Sequence, residues 1–398
     1  VVEQYSLERV EEISGIPADK LREAAIMYAT HRPSAILYAM GITQHTTGVD
    51  NVKSCANLAM LCGNVGVAGG GVNPLRGQNN VQGACDLGGL PNVYPGYQAV
   101  TMPAIREKFE KAWGSTSDLK VGLTVTEMVN AVGDGQVRAL YAMGENPLVA
   151  DPDVNHARHC LEQAEFLVVQ DIFLSETAQL AHVVLPAASF VEKEGTFTAT
   201  DRRVQRVRKV IEPLGDTKAD WEIVCLLAEK MGETGFDFSS PQEIMNEIAQ
   251  LTPIYGGVSF ERLDEEGFLQ WPCPTPDHPG TPYLHKGRFS RGLGHFHAIE
   301  YKGPVELPDE EYPLTLTTGR LMFHWHTGTM TRRSEKLHQE VPEAFVELHP
   351  DDAATIGLTR TPARSAGDGG KRVRVSSRRG EIELGVRVTD EIKPGVVF

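Results

Sequence analysis

Apolar and polar positions along the chain follow helical and strand periods in turn. Leu21, Ala24, Ala25, Met27 and Tyr28 recur at helical spacing and predict the core-facing side of a helix within 7–31. Short apolar runs, each followed by a polar turn and a helical pattern, predict parallel strands with right-handed crossovers. These runs are 34–40, 137–143, 166–170 and 183–185. The first two-thirds of the chain is therefore predicted to be an α/β fold.

The pattern changes in the last third of the chain. Helical periods cover 49–62 near the start of the chain and 216–231 and 241–251 further on. The stretch 252–310 comes next; it is rich in Pro, Gly, His and acidic residues and indicates a connecting arm. From Tyr312 the residues alternate, and 371–377 and 381–388 flank a turn typical of a β-hairpin. A Gly-, Ala- and Ser-rich insert covers 361–370 and is expected to be mobile. Periodicity alone predicts a small β domain here.

The stretch 69–97 follows neither period and reads GGGVNPLRGQNNVQGACDLGGLPNVYPGY. Glycines let backbone N–H groups approach an anion closely, and side-chain amides can both donate and accept hydrogen bonds. Arg76 stands among the amides, and a guanidinium can hold a carboxylate through two parallel hydrogen bonds. This pattern predicts a long ordered binding loop. The alternative is a polar surface loop with a solvated arginine.

Polar residues stand at the carboxyl ends of two of the predicted parallel strands. Gly144, Glu145 and Asn146 follow one strand, and Gln170 and Asp171 close the next. Ligands of open α/β sheets bind at this edge, so these residues predict a nucleotide-sized crevice. Alternatively, Asn146 and Asp171 only cap the helices that follow them.

Composition narrows the classes of function. The 398 residues are enough for two or three domains, and 41% hydrophobic with 23% charged residues is typical of a globular protein. A formal charge of −15 argues against nucleic acid and anionic membrane surfaces as partners. No apolar run approaches the roughly 20 residues of a membrane span, so direct membrane insertion is not expected. The six cysteines have no C-x-x-C spacing, which favours reduced, cytoplasmic cysteines over a zinc site or disulfides.

Several ordered motifs resemble one family. They are AMGITQHTTGVDN, in which Ala39 replaces the usual glycine, then LCGNVGVAGGG, NPLRGQNNVQGACDLG, YPGYQ, MGENP, QDIFLSETA, VVLPAASFVEKEGTFTATDRRVQ and TTGRLMFHWHTGTMTRRS. Together they resemble the catalytic subunit of molybdenum- or tungsten-dependent formate dehydrogenases, within the molybdopterin oxidoreductase family. The resemblance runs from Leu7 to Phe398.

The resemblance implies a multi-domain architecture. Residues 1–78 would be part of an α/β domain, 79–195 an α/β cofactor-binding domain and 196–280 a helical connecting segment. Residues 281–398 would be a C-terminal six-stranded β-barrel-like domain that binds molybdopterin dinucleotide and is truncated. The cysteine-rich [4Fe-4S] region and the cysteine or selenocysteine that ligates the metal are expected upstream of Val1, so no metal ligand is expected within this part.

The resemblance also assigns candidate roles to residues. Arg76 would hold formate, and Gln78 and Asn79 would orient Arg76 or contact the pterin. An aspartate can accept two hydrogen bonds from guanine, and arginines suit a pyrophosphate, which makes Asp201 and Arg202 candidates. The alternative for that pair is a surface ion pair of small value. The full set of expected cofactor-binding residues is Gly71, Asn73, Gly144, Glu145, Asn146, Gln170, Asp171, Glu194, Thr196, Asp201, Arg202, Arg320, His324, Thr329 and Thr331.

The implied function is two-electron oxidation of formate to carbon dioxide. The implied cofactors are two molybdopterin guanine dinucleotides with molybdenum or tungsten, and a [4Fe-4S] cluster in the N-terminal region. Expected partners are electron-transfer subunits or domains of iron–sulfur type, linked to NAD or ferredoxin. The alternatives are a nitrate or polysulfide reductase of the same family, or a scaffold that has lost the cofactor.

Overall fold

The computed structural model describes residues 1–116, 120–358 and 371–398. The stretch 361–370, expected to be a mobile insert, lies outside the described residues. The helices are α1 (Leu7–Ser14), α2 (Ala18–Thr30), α3 (Met40–Thr43), α4 (Gly48–Leu61), α5 (Val81–Asp86), α6 (Pro103–Trp113), α7 (Val125–Gly133), α8 (Pro147–Ala150), α9 (Val154–Leu161), α10 (Glu176–Leu180), α11 (Asp220–Met231), α12 (Pro241–Leu251), α13 (Phe260–Glu266), α14 (Glu335–Glu340) and α15 (Pro350–Thr355).

The strands are mostly short. They are β1 (Ala35–Tyr38), β2 (Gly71–Pro74), β3 (Val93–Tyr94), β4 (Gln98–Ala99), β5 (Ala139–Met143), β6 (Phe166–Asp171), β7 (Val183–Pro186), β8 (Gly195–Thr198), β9 (Arg203–Val207), β10 (Phe268–Gln270), β11 (Thr315–Leu316), β12 (Phe345–Leu348), β13 (Arg372–Ser377), β14 (Gly380–Val388) and β15 (Val396–Val397).

The predicted α/β pattern is confirmed in the parallel sheet of order β5-β6-β7. Leu167 and Val169 of β6 are fully buried against Val132 of α7 and Ala178 of α10. The fully buried apolar side chains Leu167 and Val169 are two residues apart on β6 and so lie on one face of the strand. This core fixes the sheet and sets the carboxyl ends of β5 and β6 side by side.

The first α/β region is less covered than its pattern predicts. Strands β1 and β2 form a parallel sheet of two strands. The apolar stripe of α2 was expected to face a core, but Met27 is 54% exposed and no residue of α2 is buried. Leu37 of β1 is likewise 63% exposed. The prediction of a core face is wrong because, among the described residues, no buried apolar cluster includes a residue of α2.

Residues 196–280 contain more than the expected helices. Strands β8, β9 and β10 form an antiparallel sheet, and α11, α12 and α13 lie in the same segment. A purely helical segment is therefore not what forms. Val204 lies between the exposed Arg203 and Gln205 on β9, and its side chain turns inward to the core around Tyr255 and Leu269.

The C-terminal region is a curled β half-barrel, as the resemblance implied. Its described strands form a sheet of order β11-β15-β12-β14-β13, which has five strands where six were expected. The predicted hairpin is present, with β13 and β14 antiparallel from Arg372 opposite Gly385 to Ser377 opposite Gly380. Val346, Leu348 and Val388 form its buried core with Ala353 of α15.

The stretch 69–97 is more regular than a loop. Its first residues form β2 beside β1, Val81–Asp86 form α5, and Val93–Tyr94 pair with Gln98–Ala99. The loop prediction is wrong there because pairing with β1 imposes strand geometry that the local sequence does not signal. Among the described helices, none has the length and apolar character to cross a membrane.

Candidate active site

Arg76 lies in the exposed turn that follows β2. Its backbone N–H donates to the Thr200 hydroxyl at 3.0 Å, and its guanidinium Nε donates to Gln82 Oε1 at 3.4 Å. Thr200 lies in the turn between β8 and β9, far from Arg76 in sequence. Neither contact uses Nη1 or Nη2, the pair of donors that can bind a carboxylate end-on.

A buried carboxylate lies behind Gln82. Asp86 is 0% exposed and Gln82 is 6% exposed. Gln82 Nε2 donates to Asp86 Oδ1 at 2.8 Å and to the Tyr97 hydroxyl at 3.0 Å. The Tyr97 hydroxyl donates to Asp86 Oδ1 at 2.7 Å, and the Tyr255 hydroxyl donates to Oδ2 at 2.7 Å. The four side chains form one hydrogen-bonded cluster, which we call the Asp86 cluster.

Both tyrosines of the cluster remain donors. Burial, then the hydrogen bond and negative charge of Asp86, raises the pKa of Tyr97. Burial, then the charge of Asp86, raises the pKa of Tyr255. A hydroxyl whose pKa is raised keeps its proton at neutral pH, so both can donate to the carboxylate.

The C-terminal region reaches the same turn. A Cβ atom on Gly77 would lie 2.9 Å from His326 Nε2, so the His326 ring packs directly on the backbone beside Arg76. Arg320 Nη2 lies 3.4 Å from His326 Nδ1. Burial, then the charge of Arg320, lowers the pKa of His326 and favours its neutral ring. Three segments distant in sequence therefore meet at Arg76, with Gln78 and Asn79 exposed on the same turn.

A second polar cluster lies at the carboxyl ends of β5 and β6. The Gly144 N–H donates to the Gln170 carbonyl at 2.8 Å, which places Glu145 beside Asp171. Burial, then the charge of Asp171, raises the pKa of Glu145. Asp171 Oδ1 accepts from the Ile172 N–H at 2.7 Å. The predicted crevice edge is therefore rich in acceptors.

Two predicted binding residues at this edge use their side chains within the protein. Asn146 Oδ1 accepts from the Thr177 hydroxyl at 2.8 Å, and its Nδ2 donates to Glu176 Oε2 at 2.8 Å and Thr329 Oγ1 at 3.1 Å. Gln170 is fully buried, accepts from the Tyr141 hydroxyl and donates to Asp220 Oδ1 at 2.7 Å. Both side chains hold the sheet edge in place.

The predicted pair Asp201 and Arg202 is also engaged. Asp201 Oδ2 pairs with Arg203 Nε at 3.0 Å. The Arg202 guanidinium donates to the carbonyls of Trp271 and Thr281, the latter at 2.9 Å. Burial lowers the pKa of Arg202 despite the nearby charge of Asp201. In this conformation Arg202 clamps the segment around residues 271–282.

The remaining predicted residues lie on the same elements. Gly71, with φ 111°, and Asn73 lie on β2. Glu194 immediately precedes β8, and Thr196 lies on it. His324 Nδ1 lies 3.1 Å from Thr331 Oγ1, and its Nε2 lies 2.7 Å from the Val341 carbonyl. Both ring nitrogens of His324 are therefore occupied. The loop 324–331 contacts the turn that carries Arg76 through His326, and the edge of the sheet through Thr329.

Sequence reasoning missed the side chains that support the turn around Arg76, which are Asp86, Tyr97, Tyr255 and Thr200. Asp86 and Tyr97 lie in the stretch 69–97, but Tyr255 lies in 252–310, which the sequence predicts to be a connecting arm. An Asp four residues after a Gln on a helix was the available signal for their hydrogen bond. Within the described residues, no three His, Cys, Asp or Glu side chains converge as a metal site.

Comparisons with known proteins show the family to which the chain belongs. The family profile described as molybdopterin oxidoreductase matches residues 15–230, more than half of the chain. The profile described as molydopterin dinucleotide binding domain matches residues 314–398. The chain therefore belongs to the molybdopterin oxidoreductase family, and its cofactor is a molybdopterin.

Two proteins similar in sequence and one similar in structure stand out within this family. The chain is 52% identical over its whole length to F420-dependent formate dehydrogenase 1 subunit alpha of Methanococcus maripaludis, of which it covers 57%. It is 41% identical over its whole length to formate dehydrogenase H of Escherichia coli, of which it covers 55%. Acetylene hydratase from Pelobacter acetylenicus shares the fold, with a TM-score of 0.71 and 21% identity over 100% of this chain and 57% of that one. The chain thus spans somewhat more than half the length of these relatives.

Proposed function

We propose that the protein to which this chain belongs is a formate dehydrogenase catalytic subunit, and that Arg76 binds formate. The observation that carries the proposal is the exposed guanidinium of Arg76, held through its backbone by Thr200 and through Nε by Gln82. The relatives of 52% and 41% identity are named formate dehydrogenases, which supports formate as the substrate. Oxidation converts HCOO⁻ to CO₂, a proton and two electrons.

Arg76 suits a one-carbon carboxylate for a physical reason. Formate has no side chain to recognise, so its two oxygens are the handle by which a protein can fix its plane. The end-on pair Nη1 and Nη2 binds both oxygens at once, which a lysine ammonium cannot do. The positive charge also offsets the cost of taking an anion out of water.

The residues present fit a molybdopterin dinucleotide. Donors and amides at Arg76, Gln78 and Asn79 suit pterin edges and phosphates, while the sheet edge supplies acceptors. When bound, the group supplies a molybdenum or tungsten centre that accepts two electrons. The protein part of the chemistry is then to position formate, exclude water and hold the cofactor.

Glu145 and Asp171 support recognition of a guanine. Burial, then the repulsion between the Glu145 and Asp171 carboxylates, raises the pKa of Glu145. A guanine offers N1–H and N2–H donors side by side, and these would relieve that repulsion. We therefore assign guanine binding to this edge, since the carboxylate of Asp201 is paired with Arg203.

The longer protein would supply the remaining components. We propose that the protein binds two molybdopterin guanine dinucleotides and lies in the cytoplasm. We also propose that regions outside this chain supply a metal ligand and a [4Fe-4S] cluster. The relatives' names make coenzyme F420 a candidate electron acceptor beside the NAD and ferredoxin links expected from the resemblance. Electron transfer to partner subunits would follow formate oxidation.

The direct test is the variant Arg76→Lys in the full-length protein, purified without oxygen. We expect kcat/KM for formate-dependent dye reduction to fall on the order of 100-fold, because a point charge does not fix the carboxylate plane. Metal and pterin content should equal those of the wild type, which shows that the loss concerns substrate.

Arg158→Lys is the matched control, since Arg158 is an exposed arginine on α9. It should leave kcat/KM unchanged. An Arg76→Lys protein with normal turnover would remove Arg76 from the substrate site, and a fully loaded wild type inactive with formate would refute the proposed function.

A further inference from the structure

We infer that Asp86 and Gln82 are positioning residues that set the orientation of the Arg76 guanidinium for its substrate. The inference rests on the proposed function and adds residues that the formate assignment does not require. Its basis is the chain of contacts from Asp86 Oδ1 through Gln82 to Arg76 Nε.

The first step is the polarity of the Gln82 amide. A carboxylate only accepts hydrogen bonds, so the buried Asp86 demands donors from its neighbours. Gln82 Nε2 meets that demand at 2.8 Å. The amide nitrogen is thereby committed to Asp86, and Oε1 must face the other way, toward Arg76 Nε. If the Gln82 amide were reversed, its NH₂ group would face the Arg76 Nε–H, and two donors would lie against each other.

The second step is the cost of the buried charge. Asp86 is fully buried, and the donors that reach its carboxylate in the described part of the chain are neutral. A buried carboxylate satisfied only by neutral donors costs more than an amide or apolar residue of similar size. Such a group fits a role in orienting polarity better than a role in stability alone.

The third step concerns the guanidinium nitrogens of Arg76 that these hydrogen bonds leave free. Arg76 is fixed at its backbone N–H by Thr200 and at Nε by Gln82. With these two points held, the end of the guanidinium that carries Nη1 and Nη2 stays available for the carboxylate. The arginine is thus oriented before formate arrives, which lowers the ordering cost of binding.

The Asp86 cluster also offers an internal control. The Tyr255 hydroxyl reaches Oδ2, on the side of the carboxylate away from Gln82, and lies 3.0 Å from Thr198 Oγ1. Tyr255→Phe removes a hydrogen bond to Asp86 without freeing the Gln82 amide. A purely structural role for Asp86 would make Tyr255→Phe and Asp86→Asn alike.

The experiment compares Asp86→Asn, Gln82→Met and Tyr255→Phe in the full-length, cofactor-loaded protein. Asp86→Asn keeps the volume but lets the Gln82 amide turn over, and Gln82→Met keeps the length but removes the acceptor. We expect KM for formate to rise about 10-fold in both, with kcat changed by less than about threefold. Tyr255→Phe leaves the Gln82 amide in place, so its rise in KM should be clearly smaller than in either of these variants.

The second readout is calorimetric titration with nitrite in the absence of an electron acceptor. Nitrite offers the same pair of oxygens as formate and has no hydrogen to lose. Its Kd should rise about 10-fold in Asp86→Asn and Gln82→Met, at unchanged metal and pterin content. If Asp86→Asn does not fold, Gln82→Met decides the question.

Unchanged KM and Kd in Gln82→Met, or an equal rise in Tyr255→Phe, would overturn the positioning role. Failure of the proposed function looks different: the wild type would not oxidise formate at all. The nitrite Kd series would then still decide whether Asp86 and Gln82 orient Arg76 for a small anion.

Discussion

At the scale of single residues, the carboxylates of Glu145 and Asp171 show how a strand end concentrates charge. The two strands end at the same edge, so both acids lie in one place although they are distant in sequence. Burial and Asp171 raise the pKa of Glu145. This arrangement costs stability in the free protein and favours a ligand that donates hydrogen bonds.

Glu145→Gln should stabilise the protein at pH 7, by at most about 1 kcal/mol because Glu145 is exposed enough for solvent to screen its charge. A raised folded-state pKa means that the penalty is absent below the unfolded value of about 4.3, grows as pH rises to the folded value, and is complete above it. Thermal unfolding at pH 7 and near pH 4 measures this difference.

The control is Glu229→Gln, an exposed glutamate on α11. It should not reproduce the pH-dependent gain. If the stability of Glu145→Gln relative to wild type is the same at both pH values, then burial and Asp171 do not raise the pKa of Glu145.

At the scale of elements, a hydrogen bond joins the start of the short helix α5 to the β8–β9 hairpin. Asn80, in the left-handed region at φ 60°, precedes α5, and its Oδ1 accepts from the Thr198 N–H at 2.9 Å. Gly83 permits this approach, because a Cβ there would lie 2.1 Å from Asn80 Oδ1 and 3.2 Å from Thr198 Oγ1. The turn that carries Arg76 depends on this contact.

Gly83→Ala should therefore displace Asn80 and destabilise the protein by about 2 kcal/mol, in the range of overpacked sites. We expect a lower urea midpoint with an unchanged m-value, together with weaker formate binding. The matched control is Gly385→Ala in β14, where a Cβ meets no atom within 4 Å. If both variants unfold at the wild-type midpoint, the close approach at Gly83 is not needed.

At the scale of the whole molecule, the C-terminal half-barrel is tied to the α/β sheet through the loop 324–331. Asn146 donates to Thr329, and Arg332 and Arg333 lie 3.9 and 3.8 Å from the Glu176 carboxylate. The ion pairs are partly exposed and contribute little, whereas Asn146 is buried. Asn146 is thus the stronger link between the two regions.

Asn146→Ala should release this loop. We expect a loss of about 2 kcal/mol, because the Thr177 hydroxyl loses its buried acceptor, and faster amide hydrogen exchange within 324–331. Hydrogen exchange with mass spectrometry measures the second effect directly. Asn155→Ala on α9 is the exposed control and should change neither; unaltered exchange in Asn146→Ala would show that the link lies elsewhere.

The sequence by itself determined the family and most of the regular elements. Strands such as 166–170 and the hairpin around Arg378 carry their period locally, so their form follows from nearest neighbours in sequence. The ordered motifs identified the family, and Arg76 stood out because no other cation lies among the amides of 69–97. Local pattern was sufficient wherever local interactions set the structure.

Only the tertiary structure decided which polar groups face one another. Tyr255 meets Asp86 across 169 positions, and Asn146 meets Thr329 across 183. The exposure of α2 likewise depends on which other segments pack against it. Hydrogen-bond partners and burial are set by contacts between segments distant in the chain, and no local period records them.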